Sequence, residues 1–114
     1  MVRHESEIEG VVLSSPQFAG IFKKILVGPL DGYDGYMRLF SVPPGNRTPA
    51  HSHSWWHLNY VLEGEGELYI DGAATQIRSG SVAFVDGGKP HQFVNVGSGE
   101  LKFICIVPKE GDNY

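Results

Sequence analysis

A chain of 114 residues has room for one hydrophobic core and is too short for two ordinary domains. With 41% hydrophobic residues, 19% charged residues and a formal charge of −4, it has the balance of a soluble globular protein and no basic field, so no nucleic acid and no membrane is expected as a partner. The N-terminal MVRHESEIEG is charged where a signal peptide needs an apolar run, no stretch approaches the roughly 20 apolar residues of a membrane span, and the single Cys105 makes no internal disulfide; a cytoplasmic location is expected.

Residues 1–20 read as a weakly ordered arm suited to pairing with a neighbouring subunit, with His4 an ordinary surface histidine. A homodimer is accordingly expected. Fifteen glycines and seven prolines then punctuate short runs rich in Val, Ile, Phe and Tyr, which is an all-β rhythm. The predicted strands are FKKILVG (22–28), YMRLFSV (36–42), HLNYVLEG (57–64), ELYIDG (67–72), ATQIRS (74–79), SVAFVDG (81–87), HQFVNVG (91–97) and LKFICIVP (101–108). Turn signals DGYDG, PPGNR, EGEG, DGAA and GSGE separate them. Short antiparallel strands at this spacing predict one small sandwich or barrel over 21–110, followed by a tail at 111–114.

Three of the five histidines fall within HSHSWWH, residues 51–57. Side chains on extended chain alternate between faces, so His51, His53 and His57, offset by two and four, are predicted to project to one side and share a metal through ring nitrogens. His91, opening its own strand, is placed to complete the set. Burying three imidazoles without a common partner leaves polar nitrogens unsatisfied, which favours a site over chance clustering.

The stretch Gly45–Gly64, GNRTPAHSHSWWHLNYVLEG, resembles the first motif of the cupins: glycine, five residues, His-x-His, three or four residues, glutamate, six residues, glycine. Gly80–Asn95, GSVAFVDGGKPHQFVN, resembles the second: glycine, five residues, proline, one residue, glycine, two residues, histidine, three residues, asparagine. Asp86 stands at the proline and His57 at the glutamate. The chain as a whole, with MRLF near the start and PKEG near the end, is similar to small single-domain manganese-binding cupins with four histidine ligands. The resemblance implies a single-domain cupin β-barrel (a double-stranded β-helix, jelly-roll-like) and a metal site of His51, His53, His57 and His91.

Four neutral imidazoles leave the full charge of a divalent ion uncancelled and, on a six-coordinate ion, two positions for water, dioxygen or a chelating substrate. Imidazole suits Mn, Fe, Ni, Cu and Zn; the resemblance ranks manganese first. Without the glutamate the nearest candidate general base is lost, which disfavours isomerase, epimerase and decarboxylase chemistry and favours metal-centred oxidation of dioxygenase type on a small organic substrate. A non-catalytic metal or small-ligand binding module is the alternative. Strand parity places Asn59, Phe93, Phe103 and Cys105 towards the pocket. Cys105 reads first as a small buried hydrophobe and second as a redox-sensitive thiol near the metal. Trp55 and Trp56 face opposite ways, one covering the pocket mouth and the other packing outside or in a dimer contact, with simple packing of both an equal alternative. Arg38 reads as a solvated strand arginine ahead of a carboxylate-holding pocket residue.

Overall fold

The computed structural model describes residues 1–113 and is almost entirely β. Among these residues the strands are β1 (Val11–Val12), β2 (Phe22–Val27), β3 (Gly35–Val42), β4 (His57–Glu63), β5 (Glu65–Ile70), β6 (Ala73–Arg78), β7 (Val82–Val85), β8 (His91–Asn95) and β9 (Leu101–Pro108). All pairing is antiparallel, in a sheet of order β1-β2-β3-β9-β4-β7 and a second of order β6-β5-β8. Every predicted strand is present with its ends shifted by no more than a few residues.

The period-two pattern sets the core. On β9 Leu101, Phe103, Cys105 and Val107 are buried and alternate with half-buried residues, and on β8 His91, Phe93 and Asn95 do the same. Inward residues of the large sheet (Val61, Val85, Phe103) meet those of the small one (Leu68, Ile77, Phe93) in a single cluster. The rings of Phe93 and Phe103 stack across it at 4.2 Å, 14° from parallel. Chain passage between the sheets needs sharp turns. Gly64 makes the β4–β5 switch at φ +90°, and a Cβ there would run into the carbonyl oxygen of Glu100.

Two parts of the chain are more firmly built in than the sequence indicates. The arm's second half is part of the domain: β1 pairs with β2, and Phe18 is 6% exposed within the core. Its valine pair is too short to give a period. The tail is also anchored. Gly111 is buried, and the Asp112 carboxylate, 10% exposed, lies 2.7 Å from Lys23 Nζ and 3.3 Å from an Arg38 nitrogen. A one-residue acid partnering two inward cations leaves no periodic signal to read.

Candidate metal centre

The histidine segment does not run as one extended strand, as parity alone predicts. His51 forms a two-way backbone bridge to His91 at the edge of the small sheet, with His51 N donating to His91 O and His91 N to His51 O. Ahead of it, Thr48 N and Asn95 N bond to Phe93 O and Asn46 O, so residues 46–51 line β8 as an irregular extra strand. The chain then bends at Ser54 and Trp55 and enters β4 of the large sheet at His57. HSHSWWH is therefore a bridge between the sheets. It delivers imidazoles from both sides to one point, and the reason is this crossing rather than a shared strand face.

His51, His53 and His91 each bring a ring nitrogen within 4.8 Å of the others, the arrangement of a three-histidine metal cluster. His57 adjoins them from the most buried side, its Nε2 3.1 Å from that of His91. The outer nitrogens are fixed by acceptors. His57 Nδ1–H donates to Asn59 Oδ1 at 2.6 Å, and Asn59 is oriented by donating its Nδ2 to Ile104 O at 3.3 Å. His91 Nδ1–H donates to Lys89 O at 2.8 Å, and His53 Nδ1–H to Trp55 O at 2.7 Å. Carbonyl oxygens only accept, so each proton sits on Nδ1 and each Nε2 offers a lone pair.

Burial reinforces the neutral state. It pushes His57 down to about 3 and His51 to about 4, with the neighbouring imidazoles His91 and His53 adding to the shift, and it lowers His53 and His91 too. Two neutral Nε2 lone pairs 3.1 Å apart repel unless a cation lies between them. Ligands at right angles on an ion with metal–nitrogen bonds of about 2.1 Å stand about 3 Å apart. The donor set therefore fits a divalent transition metal.

Two spaces adjoin the cluster. The inner one, of about 20 Å³, holds about one water-sized molecule and is lined by Phe18, Phe40, Thr48, Phe93, Phe103 and Cys105 beside His51, His57 and His91. The outer groove, of about 620 Å³, runs from Leu13 to Phe18 and past Ser52, His53 and Trp55 to Asn113. Its walls carry hydroxyl, amide and aromatic groups, and among the described residues no charged side chain lines it. Trp55 lies parallel to His53, ring centres 4.4 Å apart, and covers that imidazole, while its backbone oxygen accepts the hydrogen bond from Nδ1–H. Trp56 turns away and is 38% exposed.

Arg38 takes neither of the places expected for it. It is 1% exposed, so the solvated reading is overturned, and it does not line the pocket. Inward parity with Cys105 carries its guanidinium behind that residue, 3.2 Å from Sγ, where it also bonds Gly111 O at 3.4 Å and Asp112. Cys105 itself is buried against the inner space, and burial raises its thiol above the usual range. Sequence reasoning missed Phe18, Phe40, Thr48 and the groove residues of the arm and tail. Phe40 shares parity with Arg38 and was reachable; the others sit outside the predicted strands.

A two-sheet β-barrel with histidines converging at the seam defines the class as a small β-barrel with a candidate metal site. Residues 38–107 match the cupin domain profile, and the chain belongs to the cupin family. It is similar to the oxalate-binding protein of Thermotoga maritima, 34% identical over 74 residues that cover 61% of each chain. It is also similar to the 1-methylthio-D-xylulose 5-phosphate methylsulfurylase of Rhodospirillum rubrum, 26% identical over 86% of this chain and 62% of the other. The matched region thus spans about 60% of the length of these curated relatives. Among solved structures, a polyketide cyclase from Streptomyces resistomycificus superposes with TM-score 0.86 at 29% identity, covering 96% of this chain and 80% of the other. A predicted oxalate decarboxylase from Thermotoga maritima gives 0.85 at 26%, covering 95% and 98%. Among the described residues no helix is long and apolar enough to cross a membrane.

Proposed function

We propose that this cupin holds one divalent transition metal, manganese first, on His51, His53, His57 and His91, and that a small oxygen-donor substrate reaching it through the outer groove undergoes metal-centred oxidation of dioxygenase type. The observation that carries the metal is the pinning of three imidazoles by carbonyl acceptors, with the Nε2 atoms of His57 and His91 facing each other at 3.1 Å. When bound, such an ion supplies Lewis acidity and a path for electrons. The chain's own part is positional. Asn59, Lys89 O and Trp55 O fix the tautomers; Phe93, Phe103 and Phe40 limit the inner space to about one water-sized molecule. Among the described lining residues of either space there is no carboxylate to act as a base.

That same lack of a base supports a second reading, metal-dependent binding of a small dicarboxylate without turnover, in keeping with the oxalate-binding relative. The two separate in one experiment. Protein loaded with Mn(II) or Fe(II) is titrated with oxalate by calorimetry and then assayed in an oxygen electrode against catechols, keto acids and electron-rich alkenes. Oxygen uptake above the free-metal control that is lost in His57→Ala supports oxidation. Tight, metal-dependent oxalate binding with no uptake selects the binding reading, and neither result from fully loaded protein rejects both.

A further inference from the structure

Phe18 lines both of the spaces that adjoin the histidine cluster. So does His51, whose ring centre lies 6.2 Å from that of Phe18, while His53 faces the outer groove and His57 and His91 face the inner space. The cluster and this one phenyl ring therefore form a partition between chambers of different chemistry. Outside it, Ser14, Ser15, Ser52, Gln17 and Asn113 offer hydroxyl and amide groups. Inside it the walls are Phe40, Phe93, Phe103 and Cys105, and the hydroxyl of Thr48 is engaged by Phe93 N at 2.9 Å. The chambers also differ in size. The outer groove, of about 620 Å³, is in the range of pockets that hold a whole small molecule. The inner space, of about 20 Å³, is far below the roughly 150 Å³ of an apolar cavity that takes up benzene or xenon.

The backbone holds Phe18 where it stands. It belongs to the turn between β1 and β2, and among the described residues 14–20 it alone is buried. Phe18 N donates to Ser15 O and Ile21 N to Phe18 O, each at 3.0 Å, and Asn46 Nδ2 holds Ala19 O at 2.9 Å. With the turn fixed on both sides, the length of the side chain sets how far the inner space extends. We propose that Phe18 determines the specificity of the site: its ring is the wall that keeps any ligand larger than about one water-sized molecule in the outer groove. This deepens the reading of an ion on the four histidines and rests on it for where a ligand is held. An oxygen donor reaches the ion from the side of His53 and Ser52, its body stays among the hydroxyl and amide groups, and an apolar tail finds no room beyond Phe18. Shortening Phe18 joins the chambers and gives such a tail a place among Phe40, Phe93 and Phe103.

The test is calorimetric titration of the full chain, loaded with Mn(II) or Co(II), with two oxygen chelators that differ only in an alkyl tail, acetohydroxamic acid and hexanohydroxamic acid. In Phe18→Ala the ratio of the two dissociation constants is expected to shift at least about tenfold in favour of the longer chelator relative to the wild type, since burying a few methylene groups suffices for that. A variant that is merely destabilised weakens both chelators and leaves the ratio where it was. A folded, metal-loaded variant with an unshifted ratio overturns the proposal. Should Phe18→Ala fail to fold, Phe18→Val, which keeps an aliphatic side chain in the core, decides in the same way. A wild type that takes up no metal sinks the four-histidine reading instead, and the partition is then judged on metal-free protein by xenon NMR. Xenon binding at least about tenfold tighter in the variant than in the wild type upholds the wall, and equal binding overturns it.

Discussion

Asn59 illustrates how much a residue beside a proposed ligand controls. Its amide is oriented by Ile104 O, and its Oδ1 accepts the His57 proton, so it selects which ring nitrogen faces the cluster. Asn59→Ala is expected to weaken metal binding about 10- to 100-fold, and Asn59→Asp, which retains an acceptor, to recover most of it. Competition against a chelating dye measures both. The histidines also set a pH dependence. Their folded values lie below the usual 6.5, to about 4 for His51 and about 3 for His57, so on acidification the unfolded chain takes up protons first. Stability present above about pH 6.5 is therefore lost as pH falls towards 4, by up to about 1.4 kcal/mol per unit for each such histidine. Urea unfolding of metal-free protein is expected to show a lower midpoint at about pH 5 than at about pH 7.5, with a smaller difference in His51→Ala. The same shifts move proton competition for the metal below 6.5, the value that the unperturbed side chain predicts.

Strands were legible because their signal is local. Alternation in LKFICIVP and HLNYVLEG identifies inward Cys105, Phe103 and Asn59 without any knowledge of partners, and the structure buries all three. The passage of residues 51–57 from one sheet to the other was not legible, since a bend at Ser54 and Trp55 has no period. The place of Arg38 was hidden for another reason: its neighbours Gly111 and Asp112 lie 73 and 74 residues away. Those neighbours make the short C-terminal turn structural. Asp112 is shared by Lys23 and Arg38, which are 8% and 1% exposed. Asp112→Ala strips both of a common counter-charge and is expected to destabilise the fold by about 3 kcal/mol in chemical unfolding. Gly64→Ala, forcing a side chain into φ +90° against Glu100 O, is expected to cost at least about 2 kcal/mol.

At the scale of the whole molecule, the proposed site would couple metal binding to the fold, because its histidines come from opposite sheets. His51 and His91 belong to the edge of the small sheet and His57 opens a strand of the large one, so an ion held by all of them ties the two layers together. Free metal at a hundred times its dissociation constant is expected to add about 2.7 kcal/mol, raising the thermal midpoint by roughly 10 °C. Scanning calorimetry with and without Mn(II) reads this directly. The most direct test of the account is metal content per chain, measured by mass spectrometry on protein purified without chelators. One equivalent of a divalent transition metal in the wild type, falling below a tenth in folded His53→Ala and His91→Ala, is the predicted result. Wild-type protein that stays metal-free after incubation with Mn(II), Fe(II) and Zn(II), or alanine variants that keep a full equivalent, would contradict it.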